Sequence, residues 1–237
     1  MNNSVIIDGG RSPIGLKNGK LLGMRSDDLC ADVVKKLIAR NNIDKKLYDD
    51  LVLGCAFPEG SQGMLISKGV AILSELPVTT AAKVVNRFCG SSMDSVHQVC
   101  QAILAGDIDT GIAAGVEDMF AVPMGGFAPS FNPTLYEQEF YIGMGETAEN
   151  LANELNISRE DQDSFAVNSH KKALNAWSNG RFDDEVTAIA FNDTTVSKDE
   201  CPREPDLDKI KSLDPAFIEG GSVTAASSSP ISMGASA

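Results

Sequence analysis

Cys89 stands where a strand-to-helix junction would place a reactive thiol. Residues 79–86 (TTAAKVVN) form an extended run rich in β-branched side chains, followed by Arg87, Phe88 and Cys89 and then by the small residues Gly90, Ser91 and Ser92. From Met93 onward the apolar positions take a helical period, with Met93, Val96, His97, Cys100, Ile103 and Leu104 on one face. The start of a helix carries unpaired N–H groups and partial positive charge, which favour thiolate over thiol, the form that attacks carbonyl carbon. Small residues after the cysteine leave room for a substrate carbonyl. The other reading of Cys89 is a small buried apolar residue, the commonest fate of a free cysteine.

A cysteine nucleophile calls for a base within hydrogen-bond reach, and the chain has two histidines. His97 follows eight residues along the same helix, about 12 Å away along its axis at the usual rise. It reads as a packed helix residue. His170, beside Lys171 and Lys172 in a polar stretch, reads as a surface residue. The residues therefore supply a nucleophile with no evident base.

The elements that must position the thiol alternate. Residues 5–8, 51–56, 79–86 and 110–115 have the apolar or β-branched character of strands. Between them, residues 27–40 and 65–73 and the stretch after Cys89 have helical periodicity. Strands separated by helices imply parallel pairing with right-handed crossovers, hence an α/β sheet covered by helices. Between about 118 and 220 the strand signals fade. A Gly-, Pro- and Phe-rich loop at 124–133 comes first, then a helix at 144–155 presenting Met144, Ala148, Leu151 and Leu155. A second helix follows Ser158, whose spacing to Asp161 is that of a helix cap, with Phe165, Ser169, Ala173 and Trp177 on one face. Residues 193–208 are polar, with two prolines, as an exposed loop would be.

Composition narrows the classes. With 237 residues the chain can bury a sizeable core, and a net charge of −13 argues against a nucleic-acid partner. No apolar run approaches the roughly 20 residues of a membrane span, and the first residues lack the pattern of a secretory signal. The five cysteines are scattered, without a CxxC pair, so a reducing, cytoplasmic setting is expected and no metal site.

Six segments in order carry a resemblance to a known family. They are Arg11-Ser12-Pro13-Ile14-Gly15, Val85-Asn86-Arg87-Phe88-Cys89-Gly90-Ser91-Ser92-Met93, Gly115-Val116-Glu117-Asp118-Met119, Met144-Gly145-Glu146-Thr147-Ala148-Glu149-Asn150, Ile157-Ser158-Arg159-Glu160-Asp161-Gln162-Asp163, and Asp214-Pro215-Ala216-Phe217 with Gly221-Ser222-Val223-Thr224-Ala225. The chain resembles the thiolases, which cleave or form 3-ketoacyl-CoA, and specifically the degradative 3-ketoacyl-CoA thiolases of fatty-acid β-oxidation. The resemblance implies a thiolase-like α/β fold. Residues 1–237 would be the N-terminal domain, one half of a duplicated βαβαβαββ fold, with a mostly helical insertion at about 118–220.

The resemblance also implies an acyltransferase with Cys89 as the acyl acceptor. CoA and acyl-CoA would be substrates, and no cofactor would be tightly bound. Met144 corresponds to a substrate-lining methionine, and Ser229 to a serine of the pantetheine tunnel. Arg203 resembles a CoA-contacting arginine, one position off register. Gly143 stands where short-chain thiolases often carry histidine, which implies a longer or bulkier acyl chain than acetoacetyl. Met233 and Ser227 depart from the family, replacing an acidic residue and an asparagine, and residues 225–229 also read as a flexible tail.

In the family the second half supplies Gly-His-Pro, Asn-Glu-Ala-Phe and Cys-x-Gly motifs, none of which occurs here. The resemblance thus implies a fragment, a separately encoded half that needs a partner chain supplying the C-terminal half, or a degenerate remnant, and a homo-oligomer formed through residues 79–86. A different expectation for the same residues is a non-catalytic acyl-CoA-binding or assembly module.

Overall fold

The computed structural model describes residues 3–237. In chain order its elements are β1 (Gly15–Leu16), α1 (Ser26–Asn41), β2 (Asp50–Gly54), α2 (Ile66–Leu73), β3 (Ala81–Val85), α3 (Ser91–Ala105), β4 (Gly111–Asp118), α4 (Pro133–Glu137), α5 (Met144–Glu154), α6 (Arg159–Ser178), β5 (Ile189–Phe191), β6 (Thr194–Val196), α7 (Leu207–Lys211) and β7 (Ser232–Ser236). They form two compact units. The first runs through Ala128 and takes in Asp183–Glu200 and Ile231–Ala237; the second comprises Pro129–Phe182 and Cys201–Pro230.

The first unit is built on a mixed five-stranded sheet of order β1-β7-β4-β2-β3. β2 pairs in parallel with both neighbours, Leu51 lying opposite Ala82 on one side and Ile112 on the other. β7 runs antiparallel to β4 and to β1. Side chains alternate across the sheet, so Leu51, Leu53, Ile112, Ala114 and Val116 point to one face, into a core shared with α1 and α2. The opposite face carries Gly111, Ala113 and Gly115 at period two on β4, with Gly54 on β2. These minimal side chains let α3 lie close to the backbone: a Cβ at Gly54 would run into the main chain of Ser91 and Ser92, and one at Gly115 into the side chain of Ser92. Ser95 Oγ donates to Ala114 O at 3.0 Å, tying the helix to the sheet.

Two expectations change. Residues 5–8 form no strand, and Val5, Ile6 and Ile7 are exposed by 65 to 74%. The ladder they would extend has mutual hydrogen bonds between Gly10 and Ala237 as its outermost rung, and no strand lies beside them among the described residues. The apolar face of α3 is partly open, with Met93 79% exposed and Leu104 also exposed, while Val96, Cys100 and Ile103 are half-buried. The buried side is Ser91, Asp94, Ser95 and Val99, because the sheet beneath it is made of small residues that leave no room for large ones. A hairpin, β5–β6, also falls where strand signals fade, anchored by fully buried Ile189.

In the second unit the polar residues do the joining. Glu149 of α5 is buried, and its carboxylate accepts from the N–H of Ser222 (2.9 Å) and of Val223 (2.7 Å) and from Ser222 Oγ (3.1 Å). Burial alone would raise its pKa; the backbone donors outweigh that and hold it below the usual carboxylate value. Arg159, at the start of α6, reaches the carbonyls of Ile210 (2.8 Å) and Leu213 (3.1 Å), and Ser158 caps the helix through the N–H of Asp161. The apolar face expected on α5 is exposed, Met144, Leu151 and Leu155 included, while Glu149 and Ala152 are the buried positions. Residues 224–228 are tied rather than loose: Ser227 Oγ accepts from the N–H of Thr224, and Ser228 Oγ donates to Thr224 O.

Candidate active site

Cys89 sits in the turn joining β3 to α3, at the C-terminal ends of the parallel strands, where α/β sheets place their ligands. Its side chain is exposed and free, which removes the reading of it as a buried packing residue. The turn is tight: Gly90 N–H donates to Arg87 O at 3.0 Å and Ser91 N–H to Phe88 O at 3.1 Å. The fifteen-residue α3 begins at the next residue but one, so the thiol lies at the positive end of a helix whose first N–H groups have no partner within it.

Around the turn lies a polar frame. Glu117 of β4 accepts from Ala56 N–H (2.6 Å) and from Gln62 Nε2 (2.7 Å), and the fully buried Gln62 accepts in turn from Asp118 N–H (2.5 Å). The segment 115–119 thus fixes the loop after β2. The Arg11 segment has a similar role. The Arg11 guanidinium binds both oxygens of Asp199 (2.7 and 3.0 Å) and Glu185 (2.7 Å).

Among the described residues the first unit holds one histidine, His97. His97 is exposed on the outward side of α3, not packed, where it lines a surface depression with Lys83, Arg87 and Asp94. Cys30 and Cys55 are buried, and burial pushes both thiols up to about 12, so neither competes with Cys89 as a nucleophile. Among the described residues no group of three or more His, Cys, Asp or Glu side chains could hold a metal ion, and no helix is long and apolar enough to cross a membrane.

The remaining residues of interest belong to the second unit. Arg203 lines a cavity of about 360 Å³ whose wall also includes His170, Lys209, Leu213, Ala225 and Ala226. His170 is half-buried, in contrast to the surface position expected. Its Nδ1 accepts from the N–H of Arg203 at 3.4 Å, and burial and the Arg203 charge hold its pKa below the usual imidazole value. Met144, at the first position of α5, is 72% exposed; Ser229 is exposed too, and neither lines that cavity. Sequence reasoning passed over Asn86 and Ser91, which grip the Cys89 turn, and Glu149. All three lay inside the quoted motifs.

The Cys89 turn thus joins a parallel strand to a helix laid over a glycine-lined sheet, an α/β architecture with an exposed cysteine at its strand-to-helix junction. The chain belongs to the thiolase family: the family described as "Thiolase, N-terminal domain" matches residues 4–237. It is 39% identical over 254 residues to a 3-ketoacyl-CoA thiolase of Bacillus subtilis (strain 168), covering 100% of this chain and 65% of the relative. It is 42% identical over 247 residues to a 3-ketoacyl-CoA thiolase of Marinomonas sp. (strain MWYL1), covering 100% and 63%. The crystal structure of human mitochondrial 3-ketoacyl-CoA thiolase in complex with CoA superposes with a TM-score of 0.87 at 27% identity, over 97% of this chain and 62% of that one. The chain therefore spans a little under two thirds of the length of these relatives.

Proposed function

We propose that this chain is the nucleophile-bearing half of a 3-ketoacyl-CoA thiolase. The observation that carries the reading is the exposed Cys89 thiol at the start of α3. Its thiolate attacks the 3-keto carbon, forming a carbon–sulfur bond. The C2–C3 bond then breaks, and its electron pair leaves as the enolate of acetyl-CoA, which takes a proton at C2. The thiolate of a second CoA attacks the acyl-cysteine, and Cys89 departs as thiolate. Both proton transfers need a base and an acid, which a partner chain with the Gly-His-Pro and Cys-x-Gly motifs would supply. Arg203 and its cavity would receive CoA phosphate, Ser229 the pantetheine and Met144 the acyl chain, in a cytoplasmic route of fatty-acid breakdown.

The test has two parts. This chain alone is expected to show no thiolytic turnover, whereas addition of a C-terminal thiolase half should produce CoA-dependent cleavage that Cys89→Ala abolishes. Turnover by this chain by itself contradicts the reading. The isolation of Cys89 from any histidine on its own helix favours a second reading, a non-catalytic acyl-CoA-binding or assembly module. Iodoacetamide separates the two: Cys89 should label rapidly at neutral pH while Cys30 and Cys55 stay unmodified, and slow labelling of Cys89 selects the module.

β3 is an edge strand, bonded to β2 on one side. A second copy would add its own β3 there through residues 79–86 and continue the sheet, which also covers an edge that invites aggregation. Light scattering should give twice the chain mass, falling to one on Val84→Pro; a monomeric wild type refutes the dimer.

A further inference from the structure

The residue before the nucleophile holds a conformation it would not choose. Phe88 has φ +47°, in the left-handed region that a bulky aromatic residue rarely enters. Its side chain does not account for this, since it is 61% exposed and meets the Phe57 ring at a centroid distance of 5.8 Å. Both peptide groups that border Phe88 are instead gripped by side chains. On the amino side, the Phe88 N–H donates to Asn86 Oδ1 (2.8 Å), and Asn86 Nδ2 donates to Ala56 O (2.8 Å), at the loop after β2. On the carboxyl side, Ser91 Oγ donates to Phe88 O (2.6 Å) and accepts from the Arg87 N–H (2.9 Å), and Ser91 is itself buried against Gly54. Fixing the N–H and the C=O of one residue fixes both of its soft torsions.

We propose that Asn86 and Ser91 are positioning residues for Cys89, a two-sided clasp that keeps Phe88 left-handed so that the thiol is presented at the start of α3. The proposal rests on Cys89 being the acyl acceptor. Without the clasp, Phe88 returns to negative φ, the chain continues along the line of β3, and Cys89 swings away from the start of α3. A residue that merely held the fold would alter stability without altering the ionisation of the thiol.

The experiment is peptide-resolved iodoacetamide labelling of Cys89 in the whole chain as a function of pH. Asn86→Ala is expected to slow labelling at neutral pH about five-fold, the order of effect a helix start has on a nearby anion, and to move the half-plateau of the pH–rate profile upward. Ser91→Ala, which opens the other side, should act in the same direction. Phe88→Gly supplies the decisive arm, because glycine takes positive φ without cost. In that background Asn86→Ala should slow labelling by less than about two-fold, since there is no strain left to restrain. Wild-type rates in Asn86→Ala, or an equal slowing with and without Phe88→Gly, overturn the clasp. A wild-type Cys89 that labels no faster than a free cysteine overturns the reading of the nucleophile and the clasp together, whereas a fast wild type with an unaffected Asn86→Ala overturns the clasp alone.

Discussion

Replacing Glu149 by Gln tests whether the second unit is held by a buried carboxylate rather than by an apolar core. The wild-type side chain receives two backbone N–H groups and a hydroxyl, all from Ser222 and Val223. A hydrogen bond to a charged group contributes about 1.5–3 kcal/mol net. Gln keeps one acceptor oxygen but turns an NH₂ toward groups that are themselves donors, so one to two such bonds are lost, or about 3 kcal/mol. The chain's single tryptophan, Trp177, belongs to this unit and packs at a tilt against Phe182 with ring centroids 4.9 Å apart, so its fluorescence reports the unit's unfolding. With a urea slope of about 2 kcal/mol/M, the Trp177 midpoint should fall by about 1.5 M at pH 7.

The same prediction has a sign in pH. The folded pKa of Glu149 lies below its ordinary value, so the stability it contributes is complete above the unfolded pKa of about 4.3 and fades as pH falls through the folded one. The gap between wild type and Glu149→Gln should therefore narrow in acid. A variant with an unchanged midpoint at pH 7, or a gap that is constant down the acid range, refutes the reasoning.

Gly54→Ala should disturb the site from beneath. The added Cβ meets main-chain atoms of Ser91 and Ser92, which cannot rotate away, so a cost of about 3 kcal/mol in thermal or urea unfolding is expected, at the upper end of ordinary overpacking. A variant as stable as wild type would show that α3 does not rest on that strand. Arg11→Met removes the fork that joins Asp199 and Glu185 and leaves Asp199 part-buried without its cation. Unfolding of the first unit should be eased by about 3 kcal/mol, by circular dichroism, with Cys89 labelling unchanged; slowed labelling would tie Arg11 to the site instead.

The parallel part of the sheet was legible because β2, β3 and β4 are short apolar or β-branched runs between helical periods, and the cysteine could be placed at its junction from spacing alone. What periodicity misread was direction. On α5 it sent the largest apolar residues inward, yet the buried positions are Glu149 and Ala152. A face is buried by what lies opposite it. The backbone donors of Ser222 and Val223 lie 73 and 74 residues from Glu149, so no local window contains them. The hairpin did leave a local sign: Asn192 and Asp193 both have positive φ, and such a pair between Ala190-Phe191 and Thr194-Thr195 marks a tight two-residue turn. The grip of Asn86 and Ser91 was hidden because a motif names residues without saying which peptide they hold.

The position of β7 between β1 and β4 has a kinetic consequence. Val116 must find Ala235, and Gly15 must find Met233, before the sheet has its full width, so the pairing spans more than a hundred residues of intervening chain. Closing so long a flexible loop is slow and entropically unfavourable, but a segment already collapsed on itself behaves as a shorter tether. Early ordering of the second unit, through the Glu149 joint, would thus bring the two far-apart strands within reach of each other. Weakening that joint would delay zippering of a sheet to which it contributes no strand.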